Sequence, residues 1–229
     1  MNRFGEVFST RNMLQNIRDD SKIVFVPNLF FMGYFPQYIH NQRNVDLDKD
    51  PAGRFIHGDR LVDEIMKNSE MNPDVEKILD TICDENFIPR DVIQSYIDFS
   101  LNEFRKREEI CDVKMSDFIE DNYKYKQLFY SPNHPFQFVL FELVRRILKF
   151  IGIRSESFYH LNDMLDENCF DYSMIGEEVP IYPAVRKFFD GTELLEKFYA
   201  NRHFWNLYAG FRDFTREYIR LCWAEKFTR

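Results

Sequence analysis

The chain has no glycine-rich phosphate loop, no GxGxxG fingerprint and no GxSxG elbow anywhere in its 229 residues. Phosphate binding through such loops and serine catalysis on a strained elbow therefore find no support. Cysteine is scarce: Cys83, Cys111, Cys169 and Cys222 lie far apart and form neither a CxxC pair nor a Cys/His metal spacing. Reduced thiols in a cytoplasm are the expectation. No apolar run approaches the roughly 20 residues that a membrane span needs. Met1-Asn2-Arg3 leads straight into "FGEVF", without the apolar stretch of a signal peptide. Positive charge is also missing on balance. The formal charge is −8 and the isoelectric point is near 5.2. No lysine-arginine block offsets that balance, so nucleic acid is not an expected partner. A soluble, acidic, cytoplasmic protein is the reading.

Aromatic residues are what the chain has in abundance, with 25 Phe and 12 Tyr. Most fill a core, although tyrosines beside polar loops can also stack on sugars and purines. "FGEVFS" reads as a short extended segment, and Ser9 or Thr10 caps a short helix after it. "SKIVFVPN" reads as a buried strand, apolar and largely β-branched, stopped by Pro27. Residues 28 to 60 form a long aromatic stretch without regular pattern, a length that invites a functional reading. Helices dominate afterwards. Asn72 is the expected cap of a helix over "NPDVEKILDTIC", with Pro73 in its first position. A longer helix runs from Pro89 to about Ile110, its "RKREE" run reading as a solvated face. "MSDFIEDNY" is another short helix, and "QLFYSPN" is a second strand. The helix from Pro135 to Ile151 is closed by Gly152. Its apolar residues cover roughly 200° of the wheel, which predicts a central element packed on most sides. In the last helix Leu207, Phe211, Phe214, Tyr218 and Leu221 share one face, opposite Arg212, Arg216 and Arg220.

The expected fold class is α/β and predominantly helical, a small parallel sheet of short strands wrapped by helices. In such sheets ligands bind beyond the carboxyl ends of the strands. Both strands end in Pro-Asn, at Asn28 and at Asn133, which places Asn28, Asn133 and His134 near one crevice. His134 precedes Pro135, so it is either a residue of the helix cap or a general base facing the helix's positive end. His40 and His57 lack a third ligand, so no metal site is expected. "DLDKD" lacks the glycine and terminal glutamate of a calcium loop. Arg11 and Arg54 are each able to bind phosphate, but isolated arginines usually face solvent.

"FGEVFSTRNMLQNI", "VFVPNLFFMGYFPQY", "FIHGDRLVDEIM", "CDVKMSDFIE", "LFYSPNHPFQFVLFELVRRILKFIGI" and "EVPIYPAVRKFF" together resemble the WcbI family of bacterial capsular-polysaccharide biosynthesis proteins. The resemblance implies a mostly helical, cradle-like fold that holds coenzyme A, with acetyl transfer from acetyl-coenzyme A to a capsule sugar. Under it His134 is the catalytic base, while Asn28, Tyr34, Phe35, Asn133 and Arg11 contact the coenzyme. The implied partners are a small-molecule donor, a sugar or glycan acceptor, and other polysaccharide biosynthesis enzymes. Members of that family begin with a further strand ending in a Gly-Asn-Cys motif. Residues 1–229 thus read as one WcbI-like domain, N-terminally incomplete relative to the family and inactive if that motif is required. A non-catalytic nucleotide- or glycan-binding subunit, or a glycosyl- or sulfotransferase, are the alternatives.

Overall fold

The computed structural model describes residues 17–40, 57–69, 73–153, 178–192, 194, 198–199, 207–208 and 210–227. Within them the chain forms β1 (Tyr38–His40), β2 (His57–Asp59), α1 (Arg60–Asn68), α2 (Val75–Ile82), α3 (Arg90–Glu108) and α4 (Ser116–Asn122). There follow β3 (Phe129–Ser131), β4 (His134–Pro135), α5 (Gln137–Phe150), α6 (Pro183–Phe188), β5 (Phe198–Tyr199), β6 (Leu207–Tyr208) and α7 (Phe211–Phe227). Helices predominate, as the sequence led one to expect. The sheet is different: β1 with β2, β3 with β4 and β5 with β6 form three separate two-stranded antiparallel ladders. No parallel pairing occurs among the described residues.

The expected parallel partners fail for a local reason. Residues 23–26 join no ladder, because the Phe25 backbone is held by a loop. Its N–H donates to Asp112 Oδ2 at 2.7 Å, and its carbonyl accepts from the N–H groups of Asp112 (2.8 Å) and Val113 (3.3 Å). Residues 129–131 pair with His134 and Pro135, across the Pro132-Asn133 turn.

The core centres on α3, whose Ile93, Ile97, Leu101 and Phe104 are buried at helical spacing. The aromatic stretch after Asn28 lies across this helix. Phe31, Tyr34 and Phe35 are fully buried, so this stretch is core and not a solvated loop. Met32 N–H donates to Ser100 Oγ at 2.8 Å, and Ser100 Oγ–H donates in turn to Tyr96 O at 2.7 Å. The approach is close enough to dictate Gly33. A Cβ there would lie 2.5 Å from Phe31 Cζ and 2.8 Å from Ile97 Cγ1. Tyr34 Oη–H reaches the carbonyls of Tyr123 (2.7 Å) and Lys126 (3.1 Å), tying the segment to the end of α4. Burial holds that phenol well above the ordinary tyrosine range.

Capping corrects two expectations. α2 starts at Val75 with Asp74 as its cap, whose Oδ1 accepts from Glu76 N (3.1 Å) and Lys77 N (3.2 Å); Asn72 lies outside the described residues. The "RKREE" run is not wholly solvated either, since Glu108 is buried. Its Oε2 accepts from Met115 N (2.8 Å) and Ser116 N (3.1 Å), the free amides that open α4. Packing corrects a third. Only Val139 of α5 is buried, and Val144 and Phe150 are 39% and 53% exposed. The helix is therefore not packed on most sides, although Gly152 closes it with φ +84° as expected. In α7, Phe211, Phe214 and Tyr218 are buried, whereas Leu207 belongs to β6. Its Arg212 and Arg216 reach Glu76 (2.9 and 3.0 Å), and Arg212 also reaches Asp80 (2.8 Å), so the basic face is paired with α2.

One carboxylate joins these layers. Asp59 caps α1, its Oδ1 accepting from Leu61 N and Val62 N at 3.0 Å each. Its Oδ2 accepts from Tyr182 Oη at 2.7 Å, and its own N–H donates to Tyr218 Oη at 3.1 Å. Burial outweighs these favourable bonds and lifts its pKa from 3.8 to about 6. That difference amounts to about 3 kcal/mol. The folded chain holds this proton more tightly than the unfolded one, so the contribution is complete below about pH 4 and is lost as pH rises through about 6. Urea unfolding between about pH 4 and 7 should therefore show Asp59→Asn with a flatter dependence of stability on pH than the native chain. Equal slopes would mean that the carboxyl titrates normally.

A second test concerns the contact at Gly33. Gly33→Ala should cost about 1–3 kcal/mol by overpacking and lower the melting midpoint by several degrees. An unchanged midpoint would show that the aromatic segment relaxes away from α3.

Candidate functional site

The two Pro-Asn segments do meet, without a shared sheet. Phe31 N–H donates to Pro132 O at 2.8 Å, linking a point three residues after Asn28 to the residue before Asn133. Pro27 and Pro132 are buried, whereas Asn28 and Asn133 are exposed. The hairpin is anchored from several directions. Val179 N–H donates to Tyr130 O at 2.7 Å, Phe136 N–H to Leu128 O at 2.9 Å, and Gln127 Nε2 to Phe129 O at 2.8 Å. The Tyr130 and Phe136 rings stack with centroids 3.7 Å apart.

His134 is half-buried and sits in β4, not in the helix cap. The cap position belongs to Phe136, with φ −62° and ψ 155° and no side-chain cap bond. The structural alternative for His134 is thereby moved two residues on. Across the turn the register sets Ser131 opposite His134, and the Ser131 hydroxyl contacts His134 Nδ1. The same Oγ–H donates to Asn133 Oδ1 at 3.5 Å. Ser131 is completely buried, and Glu178, also buried, lies beside the hairpin through the Val179–Tyr130 bond.

The predicted site residues separate into three groups. Asn133 and His134 lie on the hairpin, and Asn28 lies three residues before Phe31, whose N–H bonds to the hairpin. Tyr34 and Phe35 have no exposed surface and face the core beneath. Arg11 lies outside the described residues, as do Arg54 and "DLDKD". Ser131 was not singled out from the sequence. The signal was nonetheless present in "SPNH", since a serine three residues before a histidine across a Pro-Asn turn comes opposite it when the segment pairs as a hairpin.

An open groove of about 770 Å³ lies elsewhere, between α1 and α2, with Leu61, Ile65, Ile78 and Phe87 in its lining together with Glu64 and Lys77. It contains none of the predicted site residues. Among the described residues no three His, Cys, Asp or Glu side chains gather as a metal site. Cys83 and Cys111 are free thiols, both with pKa raised, chiefly by burial. No described helix is long and apolar enough to cross a membrane.

A solved structure shares this fold. It is described as WcbI, a novel polysaccharide biosynthesis enzyme, in a native form without a disulfide bond between coenzyme A and one of its cysteines. The two superpose with a TM-score of 0.60 at 20% sequence identity. The match covers 88% of this chain and 61% of the other, so this chain spans less than two thirds of that protein's length. No curated protein matches. The family model described as the polysaccharide biosynthesis enzyme WcbI matches residues 2–156, more than half of the 229 residues, and the chain belongs to the WcbI family.

Proposed function

We propose that the chain is an acyl-coenzyme A-dependent transferase that O-acetylates a sugar hydroxyl in capsular or surface polysaccharide synthesis, working as one domain over residues 1–229 in the cytoplasm. The observation that carries the proposal is the half-buried imidazole of His134, next to the exposed Asn133 on the hairpin and contacted at Nδ1 by the buried Ser131 hydroxyl. Membership of a polysaccharide biosynthesis family supplies the reaction's setting. The solved relative, described with coenzyme A and a cysteine, supplies the donor.

In this scheme His134 takes the proton from the acceptor hydroxyl as the oxygen attacks the thioester carbonyl. The carbon–sulfur bond breaks, the acetyl group passes to the sugar oxygen, and the coenzyme A thiolate leaves and recovers the proton. Asn28 and Asn133 donate hydrogen bonds to the thioester oxygen or to the pantetheine amides, in the manner of an oxyanion hole. The opening amides of α5, which begins three residues beyond His134, add the positive end of a helix dipole. Tyr34 and Phe35 are wholly buried, so they do not meet the coenzyme as expected and instead fix the segment that carries Asn28. Arg11 contributes a phosphate contact.

Coenzyme A should bind saturably. At a hundredfold excess over the dissociation constant, linkage gives about 2.7 kcal/mol of added stability. For a chain of this size that raises the melting midpoint by roughly 5 to 10 °C. A shift with nucleotide sugars and none with coenzyme A would replace this reading with glycosyl transfer.

His134→Ala should leave coenzyme A binding nearly unchanged and reduce acetyl transfer by about 10²- to 10⁴-fold. Asn133→Ala should weaken coenzyme A binding without a matching loss of stability. Calorimetric titration beside a transfer assay separates these effects, and full turnover by His134→Ala would remove the base assignment.

A further inference from the structure

We infer that Ser131 is a positioning residue that holds His134 as the Nδ1–H tautomer, so that Nε2 carries the lone pair. The inference rests on the reading of His134 as the base, and it adds what makes that imidazole a base at the required atom.

The geometry runs through a single hydroxyl. Ser131 is completely buried in β3, and a buried hydroxyl without partners is costly. Two polar atoms face it, His134 Nδ1 and Asn133 Oδ1. A hydroxyl owns one hydrogen and two lone pairs. An amide oxygen only accepts, so both contacts are satisfied together only when the Ser131 hydroxyl hydrogen goes to Asn133 Oδ1, 3.5 Å away. The oxygen's lone pair is then what meets His134 Nδ1, so Nδ1 must bring the hydrogen. The neutral imidazole has only one, and Nε2 is left without it.

This arrangement distinguishes Ser131 from a nucleophile. With no exposed surface, its oxygen is out of reach of a thioester, and its lone pair is engaged by Nδ1. Asn133 acquires a double duty: its carbonyl oxygen orients the serine hydroxyl while its NH2 group remains the donor proposed for the coenzyme.

The tautomer is directly observable. In a chain labelled with 15N-histidine, long-range 15N–1H correlations distinguish a protonated ring nitrogen from one bearing a lone pair. His134→Gln identifies the His134 signals among those of the five histidines. In its neutral form His134 should show a protonated Nδ1 and an unprotonated Nε2. Ser131→Ala should revert it to the Nε2–H form, and Ser131→Thr, which keeps the hydroxyl, should preserve the native pattern. If the alanine variant does not fold, Ser131→Cys, whose thiol is a weaker partner, should show a mixture of the two forms.

A proton on Nε2 in the native chain would overturn the inference, because Ser131 would then be donating to Nδ1. An unaltered pattern in Ser131→Ala or Ser131→Cys would overturn it as well. Covalent labelling of Ser131 by a fluorophosphonate would make it a nucleophile and discard the positioning role. The two readings fail separately: a Ser131-dependent tautomer with full transfer by His134→Ala would remove the base and leave the positioning in place.

Discussion

Asp59 is the constraint around which the rest of the molecule is arranged. Its carboxylate closes the amide end of α1, receives the phenol of Tyr182 at the start of α6, and stands beside Tyr218 of α7. Elements more than a hundred residues apart are thus satisfied by one buried group. An ionised carboxylate in such a place survives only with its oxygens fully bonded. Tyr182 is a demanding partner, being itself wedged between Phe87 and Phe211. Tyr218 extends the chain of bonds to Asp63 at 3.0 Å. The network is conditional: loss of any member leaves a buried polar atom behind, so its value lies in fixing how the helices meet more than in net stability.

The ladder β1–β2 ends at this residue, with Tyr38 opposite Asp59. It carries the constraint from the helices towards the aromatic segment. Arg60, the first residue of α1, donates its N–H to Gln37 O at 3.0 Å and its Nε to Pro36 O at 2.9 Å. Gln37 Nε2 in turn reaches Pro180 O at 2.7 Å. The stretch from Asn28 to Gln37 is therefore gripped at one end by α1 and the segment before α6 and at the other by the hairpin through the Phe31–Pro132 bond. It looks irregular because its hydrogen bonds go to helices and loops instead of to a sheet. That is also why its aromatic rings are core.

Much of this was legible in the sequence, and the misses have identifiable causes. Helix boundaries marked by Pro89 and Gly152 could be read because proline and glycine act through local backbone geometry. The strand at residues 24–27 could not be settled, since an apolar β-branched run is consistent with many partners and Asp112 is 87 residues away from Phe25. α5 was read as central from its wide apolar arc, but an arc reports composition and says nothing of whether a neighbour stands against it. At the site, the meeting of the Asn28 and Asn133 segments was anticipated from their shared Pro-Asn ending, although a single backbone bond replaces the expected sheet. Asp59 was invisible, because a single aspartate before a helix reads only as a cap until Tyr182 and Tyr218 are brought to it by the fold.

The turn between β3 and β4 separates Ser131 from His134 by only three residues. Closing so small a loop costs little chain entropy and takes on the order of tens of nanoseconds. The orientation of the imidazole is therefore written into a short-range contact, one that does not wait for distant parts of the chain to assemble. The hairpin itself is held differently, by long-range contacts such as Phe31 with Pro132 and Val179 with Tyr130. In evolutionary terms the two are separable: remote substitutions can shift the hairpin while leaving the orientation of His134 within it intact.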